Sequence, residues 1–142
     1  MQVEEAMSRN CRMVNVNDTL QKAARIMREE NVGVLPVQDP DQDRLVGVIT
    51  DRDIVTRCVA SGKDGDARVR DAMTKDVKYC FADADLDETL ENMAEIQLRR
   101  LPVVNREKRL VGIISLADAA RCYSPDAVGI AFSGVVSPVP AH

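Results

Sequence analysis

Gly47-Val48-Ile49-Thr50-Asp51-Arg52-Asp53 recurs in the same chain as Gly112-Ile113-Ile114-Ser115-Leu116-Ala117-Asp118. Each copy reads as an apolar strand that runs into a helix, with Thr50 or Ser115 at the cap and an aspartate in the first turn. Working outward, Arg44-Leu45-Val46 returns as Arg109-Leu110-Val111, and Leu35-Pro36-Val37 as Leu101-Pro102-Val103. Met27 matches Met93, Leu20 matches Leu86, and Ala6-Met7 matches Ala72-Met73. The chain is a tandem repeat, and that fixes its architecture before any single residue is interpreted.

The offset between copies is 66 residues up to Leu-Pro-Val and 65 from Arg-Leu-Val-Gly onward. The lost residue falls where Asp39-Pro40-Asp41-Gln42-Asp43 faces Asn105-Arg106-Glu107-Lys108, polar turn residues between two apolar runs. Such a deletion is tolerated in a hairpin loop. Each copy therefore reads as strand, helix, strand, strand, helix. Met13 to Val16 is the first strand, and Asp18 with Gln21 makes a capping box for a helix carrying Leu20, Ala23, Ala24 and Met27 and ending near Asn31. Val32–Val37 and Leu45–Ile49 form the hairpin, the second apolar enough for burial on both faces, and a helix from Asp51 to about Ala60 stops at Gly62.

The second copy repeats these signals: Tyr79 to Ala82, Asp85 with Glu88 as capping box, Leu86, Leu90 and Met93 along the helix, and the hairpin Arg100–Val104 with Leu110–Ile114. The organisation predicted is repeat 1 over 6–61, a polar linker over 62–71, repeat 2 over 72–123 and an extension over 124–142, where Ser124-Pro125 is a helix start. At roughly 60 residues each, the repeats are marginal for independent cores and should bury apolar faces against each other.

A chain of 142 residues with 45% hydrophobic and 30% charged residues has a globular composition. Its net charge of −4 argues against nucleic acid as the main partner, since phosphate backbones are bound through surplus Lys and Arg. No apolar run approaches the ~20 residues that span a bilayer, and Glu4-Glu5 stands where a signal peptide needs an apolar core, so the expectation is a cytoplasmic protein off the membrane. Cys11, Cys58, Cys80 and Cys122 are dispersed, and the one histidine is His142. That pattern suits reduced thiols better than a zinc site, which wants closely spaced ligands. On this reading Cys11 and Cys80 fall in corresponding strands, and a disulfide between them, or between Cys58 and Cys122, would be a redox lock. No Ser-His-Asp or Cys-His arrangement and no phosphate-cradling Gly-x-x-x-x-Gly-Lys loop is present, so no catalytic residue is assigned and an enzyme is not expected.

The element order, Leu-Pro-Val before the hairpin, and Gly-apolar-apolar-Thr/Ser-x-x-Asp at the last helix resemble the cystathionine β-synthase (CBS) domain. The resemblance covers about residues 6 to 123, and two such domains in tandem resemble a Bateman module. It implies an α/β (α+β) fold of two βαββα repeats packed through their sheets about a pseudo-twofold axis, with two clefts. It also implies a regulatory module that binds adenosine compounds such as AMP, ADP, ATP or S-adenosylmethionine, requires no resident cofactor or metal, forms a homodimer and signals to an effector protein.

By match to the family pattern, Asp53 and Asp118 would hold ribose hydroxyls, and Thr50 and Ser115 would lie near phosphates. The chemistry agrees, because a carboxylate accepts both hydrogen bonds of a diol. The same residues also serve as helix caps in any fold. Of Arg99 and Arg100, alternation on a strand lets one face the cleft and suit a phosphate. The first copy has Gly33-Val34 there, so the clefts are not equivalent. Adenine would need an apolar slot, implied to be lined by Met13, Val34, Leu35 and Pro36 in one copy and Tyr79, Leu101 and Pro102 in the other. The rival reading is a ligand-free structural or interaction protein of stress or low-oxygen response, redox-modulated through its cysteines.

Overall fold

The computed structural model describes residues 1–122, and for Cys122 the backbone alone; the expected helix start at Ser124-Pro125 and the extension 124–142 lie outside the described residues. The elements run β1 (Val14–Asn15), α1 (Leu20–Glu30), β2 (Val34–Asp39), β3 (Arg44–Thr50) and α2 (Asp51–Asp53). The helix continues through a wide π-helical turn, Ile54–Cys58, and a 3-10 turn, Val59–Ser61, to Gly62 in the left-handed region. The second copy is β4 (Cys80–Phe81), α3 (Leu86–Ile96), β5 (Arg100–Val104), β6 (Leu110–Ser115) and α4 (Leu116–Cys122).

Each copy makes one three-stranded sheet, in the orders β1-β2-β3 and β4-β5-β6. The first pair of strands is parallel and the hairpin antiparallel. The repeat persists at single-residue level. The register slips at Val37/Gln38 and again at Val103/Val104. Asn31 and Gln97 end α1 and α3 with φ of 54° and 57°, and Asp43 and Lys108 close the two hairpin loops at 52° and 64°. Backbone geometry this unfavourable for a side-chain-bearing residue is reproduced only where the whole local fold is reproduced.

Several expectations shift. Thr19, not Asp18, caps α1, its hydroxyl accepting from Lys22 N at 3.1 Å. Asp18 instead closes the turn after β1, accepting from Asn15 N at 2.9 Å and pairing with Lys22 Nζ at 3.3 Å. The Asp18–Gln21 box is therefore replaced by a cap one residue later. Along α1, Leu20, Ala23, Ile26 and Met27 are buried, whereas Ala24 is exposed. β3 is not buried on both faces: Leu45 and Ile49 are buried and Val46 and Val48 half-buried, the alternation of a strand with one face in a core.

Compact packing does not follow the repeat boundaries. Residues 12–77 form one unit, and residues 1–11 with the chain from 78 onward form the other. Each unit borrows an edge segment from before the other copy. In the first unit, Thr74 and Val48 exchange backbone bonds of 2.8 and 3.0 Å; in the second, Ser8 and Ile113 do so at 2.8 and 2.9 Å. Glycine is needed at both crossings. A Cβ on Gly47 would stand 2.5 Å from Thr74 O, and one on Gly112 would stand 2.7 Å from Ser8 O.

Each unit has its own apolar core. Val14, Leu20, Ala23, Leu35, Val37, Ile49, Val69 and Ala72 are prominent in one. Val3, Leu86, Leu90, Met93, Leu101, Val103 and Ile114 are prominent in the other. Val3 is fully buried, and its N–H donates to Ala84 O at 2.9 Å, so residues before the first repeat are structural parts of the second sheet's unit.

Candidate functional site

The motif residues stand where each hairpin's second strand becomes a helix. Thr50 is still extended, with φ −113° and ψ 160°, and Asp51 begins the helix. Two hydrogen bonds lock the corner: Asp53 N donates to Thr50 Oγ1 at 3.0 Å, and Thr50 N donates to Asp53 Oδ2 at 3.1 Å. A third contact comes from the borrowed segment, since Thr74 Oγ1 donates to Asp53 Oδ2 at 3.5 Å. Arg57 approaches Asp53 Oδ1 at 3.8 Å through Nε, while its Nη1 donates to Met73 O at 3.2 Å.

This arrangement holds the Asp53 side chain at 13% exposure. A carboxylate has about four acceptor positions. Two contacts converge on Oδ2, and the Arg57 approach to Oδ1 is too long for a hydrogen bond. Oδ1 retains acceptor capacity, which suits a hydroxyl donor.

The second copy has the same plan with other partners. Asp118 N donates to Ser115 Oγ at 3.0 Å, and Arg121 Nη2 donates to Asp118 Oδ1 at 3.0 Å. Asp118 is again 13% exposed. Arg100 is directly opposite Ser115 in the β5-β6 ladder, as Val34 is opposite Thr50. Because Leu101 and Ile114 turn inward to the core, Arg100 and Ser115 share the other face. Arg99 sits at the corner, its carbonyl accepting from Leu116 N at 3.1 Å.

The apolar candidates divide. Leu35 and Leu101 are core residues at 2% and 0% exposure, and Pro36 is buried. Val34 is 37% exposed, and Met13, Tyr79 and Pro102 are half-buried. Tyr79 is already engaged: its ring meets Phe81 edge-on at 5.8 Å, and Lys108 Nζ lies 5.4 Å from its centroid. Thr74, which touches Asp53, was not singled out by the motif reading. The signal was one residue past the Ala-Met match, where Ser8 and Thr74 put a hydroxyl in both copies.

A hollow of about 380 Å³ lies elsewhere in the 12–77 unit, lined by Leu20, Ala24, Ile54 and Val59 together with Asp64 and Asp66. It shares no residue with the Thr50-x-x-Asp53 corner and lacks the convergent buried polar groups that orient a ligand.

Cys11, Cys58 and Cys80 are free cysteines. Cys80 is in β4 and matches Val14 of β1, whereas Cys11 precedes β1, so these two cysteines do not occupy corresponding strands. Burial pushes the Cys80 thiol up to about 12, and Cys58 Sγ lies 3.4 Å from Asp64 O. Cys80 is therefore not poised as a thiolate. Burial also raises Cys11, which remains the most accessible of the three.

With this geometry in view, the comparisons are specific. The model of the family described as CBS domain matches residues 3–60 and 69–124. Hypoxic response protein 1 of Mycobacterium tuberculosis is 40% identical over 127 residues, 89% of this chain and 87% of that protein. The crystal structure of Hypoxic Response Protein I with two coordinated zinc ions matches at TM-score 0.75 and 38% identity, covering 87% of this chain and 100% of that one. The CBS domain pair of protein MJ0100, in complex with 5′-methylthioadenosine and S-adenosyl-L-methionine, matches at TM-score 0.69 and 28% identity, covering 85% and 94%. Among the described residues, no cluster of three or more His, Cys, Asp or Glu could hold a metal ion.

Proposed function

The chain belongs to the CBS domain family, with two copies of the domain, and from that premise we propose that it is a regulatory module that binds adenosine ligands at the Thr50/Asp53 and Ser115/Asp118 corners. The ligand class is AMP, ADP or ATP, or an adenosine thioether or sulfonium of the kind bound by MJ0100. One observation carries the reading: both copies hold the motif aspartate at 13% exposure on a backbone corner that the chain builds twice. A cap alone needs no such constancy, because caps on solvent-facing helix ends work equally well when fully wet.

Each carboxylate would accept ribose hydroxyls, with the Thr50 or Ser115 hydroxyl and nearby arginines addressing the 5′ substituent. Signalling requires that the ligand favour one state of the protein over another, with couplings of about 1–3 kcal/mol being typical. Self-association is a suitable readout. Val55 and Val59, 58% and 62% exposed, lie on the continuation of the helix that carries Asp53, so ribose binding and an apolar helical surface share one element. We take that surface as part of a homodimer contact that an effector protein reads. Likeness to hypoxic response protein 1 supports a setting in adaptation to low oxygen.

The test is thermal unfolding with and without AMP or 5′-methylthioadenosine, with mass in solution followed by light scattering. Ligand at 100 times its Kd should stabilise the protein by about 2.7 kcal/mol. Asp53→Ala with Asp118→Ala should abolish that gain while the variant still unfolds cooperatively. Absence of any ligand-dependent shift at millimolar concentration would reject the reading.

A further inference from the structure

We infer that the two corners select different 5′ chemistry: the Ser115/Asp118 corner takes adenosine bearing a 5′-phosphate, and the Thr50/Asp53 corner takes adenosine whose 5′ group is uncharged or cationic. The inference rests on the adenosine-binding reading above and adds which site takes which class.

Matching backbone positions carry opposite side-chain chemistry. Opposite Ser115 stands Arg100; opposite Thr50 stands Val34. Directly opposed residues on one strand face have Cβ atoms about 5 Å apart, so the Arg100 guanidinium reaches whatever Ser115 touches. One residue earlier, the bond from Leu116 N to Arg99 O matches the bond from Asp51 N to Gly33 O. In the first copy the space over position 33 is filled by a carboxylate. A Cβ on Gly33 would lie 3.1 Å from Asp51 Oδ2, so an arginine there would need Asp51 to move. In the second copy Leu116 replaces Asp51, and Arg99 occupies the matching position.

Charge follows from these exchanges. Around Thr50, Asp51 and Asp53 balance Arg52 and Arg57. At Ser115, Asp118 pairs with Arg121, and Arg100 stands across the ladder. Arg121 bonds Asp118 directly, as Arg57 pairs with Asp53. The remaining difference is therefore Arg100, opposite Ser115, against Val34 and a balanced Asp51-Arg52 at the Thr50 corner. A phosphate is stabilised by planar guanidinium donors and penalised beside a carboxylate. A sulfonium has the reverse preference, and a neutral thioether, which gains nothing from a guanidinium, is suited by the apolar Val34 opposite Thr50.

Equilibrium dialysis of the full chain against AMP and against 5′-methylthioadenosine, for wild type and single variants whose folding is checked by circular dichroism, tests this. AMP should saturate one site per chain, be lost in Asp118→Ala and persist in Asp53→Ala, with 5′-methylthioadenosine showing the opposite pattern at its tighter site. Arg100→Ala should reduce the preference for AMP over 5′-methylthioadenosine at the Ser115 corner about tenfold or more, the usual range for a hydrogen bond to a charged group. Asp51→Ala should raise AMP affinity at the Thr50 corner. AMP binding that survives Asp118→Ala and vanishes in Asp53→Ala, or equal AMP affinity at both corners, overturns the division of ligands and leaves adenosine binding standing. Binding of neither probe overturns both.

Discussion

Replacing Gly47 by alanine tests whether the Thr74 segment belongs structurally to the first sheet. The added Cβ would lie 2.5 Å from Thr74 O, 3.4 Å from Thr74 C and 3.6 Å from Lys75 Cα. All three are backbone atoms, so no rotamer change relieves the contact. The segment must withdraw, at the expense of the 2.8 and 3.0 Å bonds between Thr74 and Val48. Two backbone bonds contribute about 1 kcal/mol each, and strain from overpacking adds about 1–3 kcal/mol. The smaller unfolded-state entropy of alanine returns about 0.4–1 kcal/mol. The net expectation is a loss of about 2–4.5 kcal/mol, large beside a typical domain stability of about 5–15 kcal/mol. Urea denaturation should show the midpoint falling by about 1 M or more with an unchanged slope. Gly62→Ala is the control: Gly62 has φ of 80° and nothing within 4 Å, so only left-handed strain of about 1–2 kcal/mol applies. A Gly47→Ala loss below about 0.5 kcal/mol, or no larger than that of Gly62→Ala, would refute the steric argument.

Thr74→Val removes the hydroxyl from Asp53 Oδ2 while keeping shape; it should weaken AMP or 5′-methylthioadenosine binding at the Thr50 corner several-fold and leave the Ser115 corner untouched, as calorimetric titration can resolve. Thr19→Ala should cost about 1 kcal/mol as a lost helix cap, measured by the same urea curves, and Thr19→Ser should restore most of it. Thiol titration with an aromatic disulfide reagent at neutral pH should modify Cys11 well before Cys58 or Cys80 among these three. Because the Cys80 pKa is raised from 9.0 to about 12 in the folded chain, its contribution to stability is full below about pH 9 and is lost as pH rises toward 12. Cys80→Ala should flatten that part of the stability profile.

Much of the fold could be read from residues because it was written twice. Helix periodicity, the Asn31 and Gly62 stops and the hairpins are local signals, and duplication separated them from chance. Asp18 misled because aspartate closes a turn as readily as it caps a helix, and the neighbouring Thr19 could take the cap; only the backbone direction after β1 decides between them. The borrowed edges were hidden for another reason. Contacts of Ser8 with Ile113 and of Thr74 with Val48 join residues far apart in sequence, and the short extended segments that make them carry no periodicity. Their trace was indirect: Gly47 and Gly112, glycines inside otherwise β-branched strands, mark places where another backbone comes close.

The candidate site was legible to a similar depth. Thr50 with Asp53 and Ser115 with Asp118 make the cap hydrogen bonds that their spacing dictates. Leu35 and Leu101 were candidates through the Leu-Pro-Val motif, but alternation around them sends both inward, leaving Val34, Met13, Tyr79 and Pro102 as the more accessible apolar groups. The asymmetry of the two corners was visible as Gly33-Val34 against Arg99-Arg100. Its steric basis, Asp51 lying over Gly33, needed coordinates.

The most direct test of adenosine binding at the two corners is an amide chemical-shift map of the isotope-labelled protein during titration with AMP and then with 5′-methylthioadenosine. The account predicts saturable shifts concentrated at Thr50–Asp53, Thr74 and Ser115–Asp118. Saturable shifts confined to other residues, or a spectrum that does not change at millimolar ligand, would contradict it.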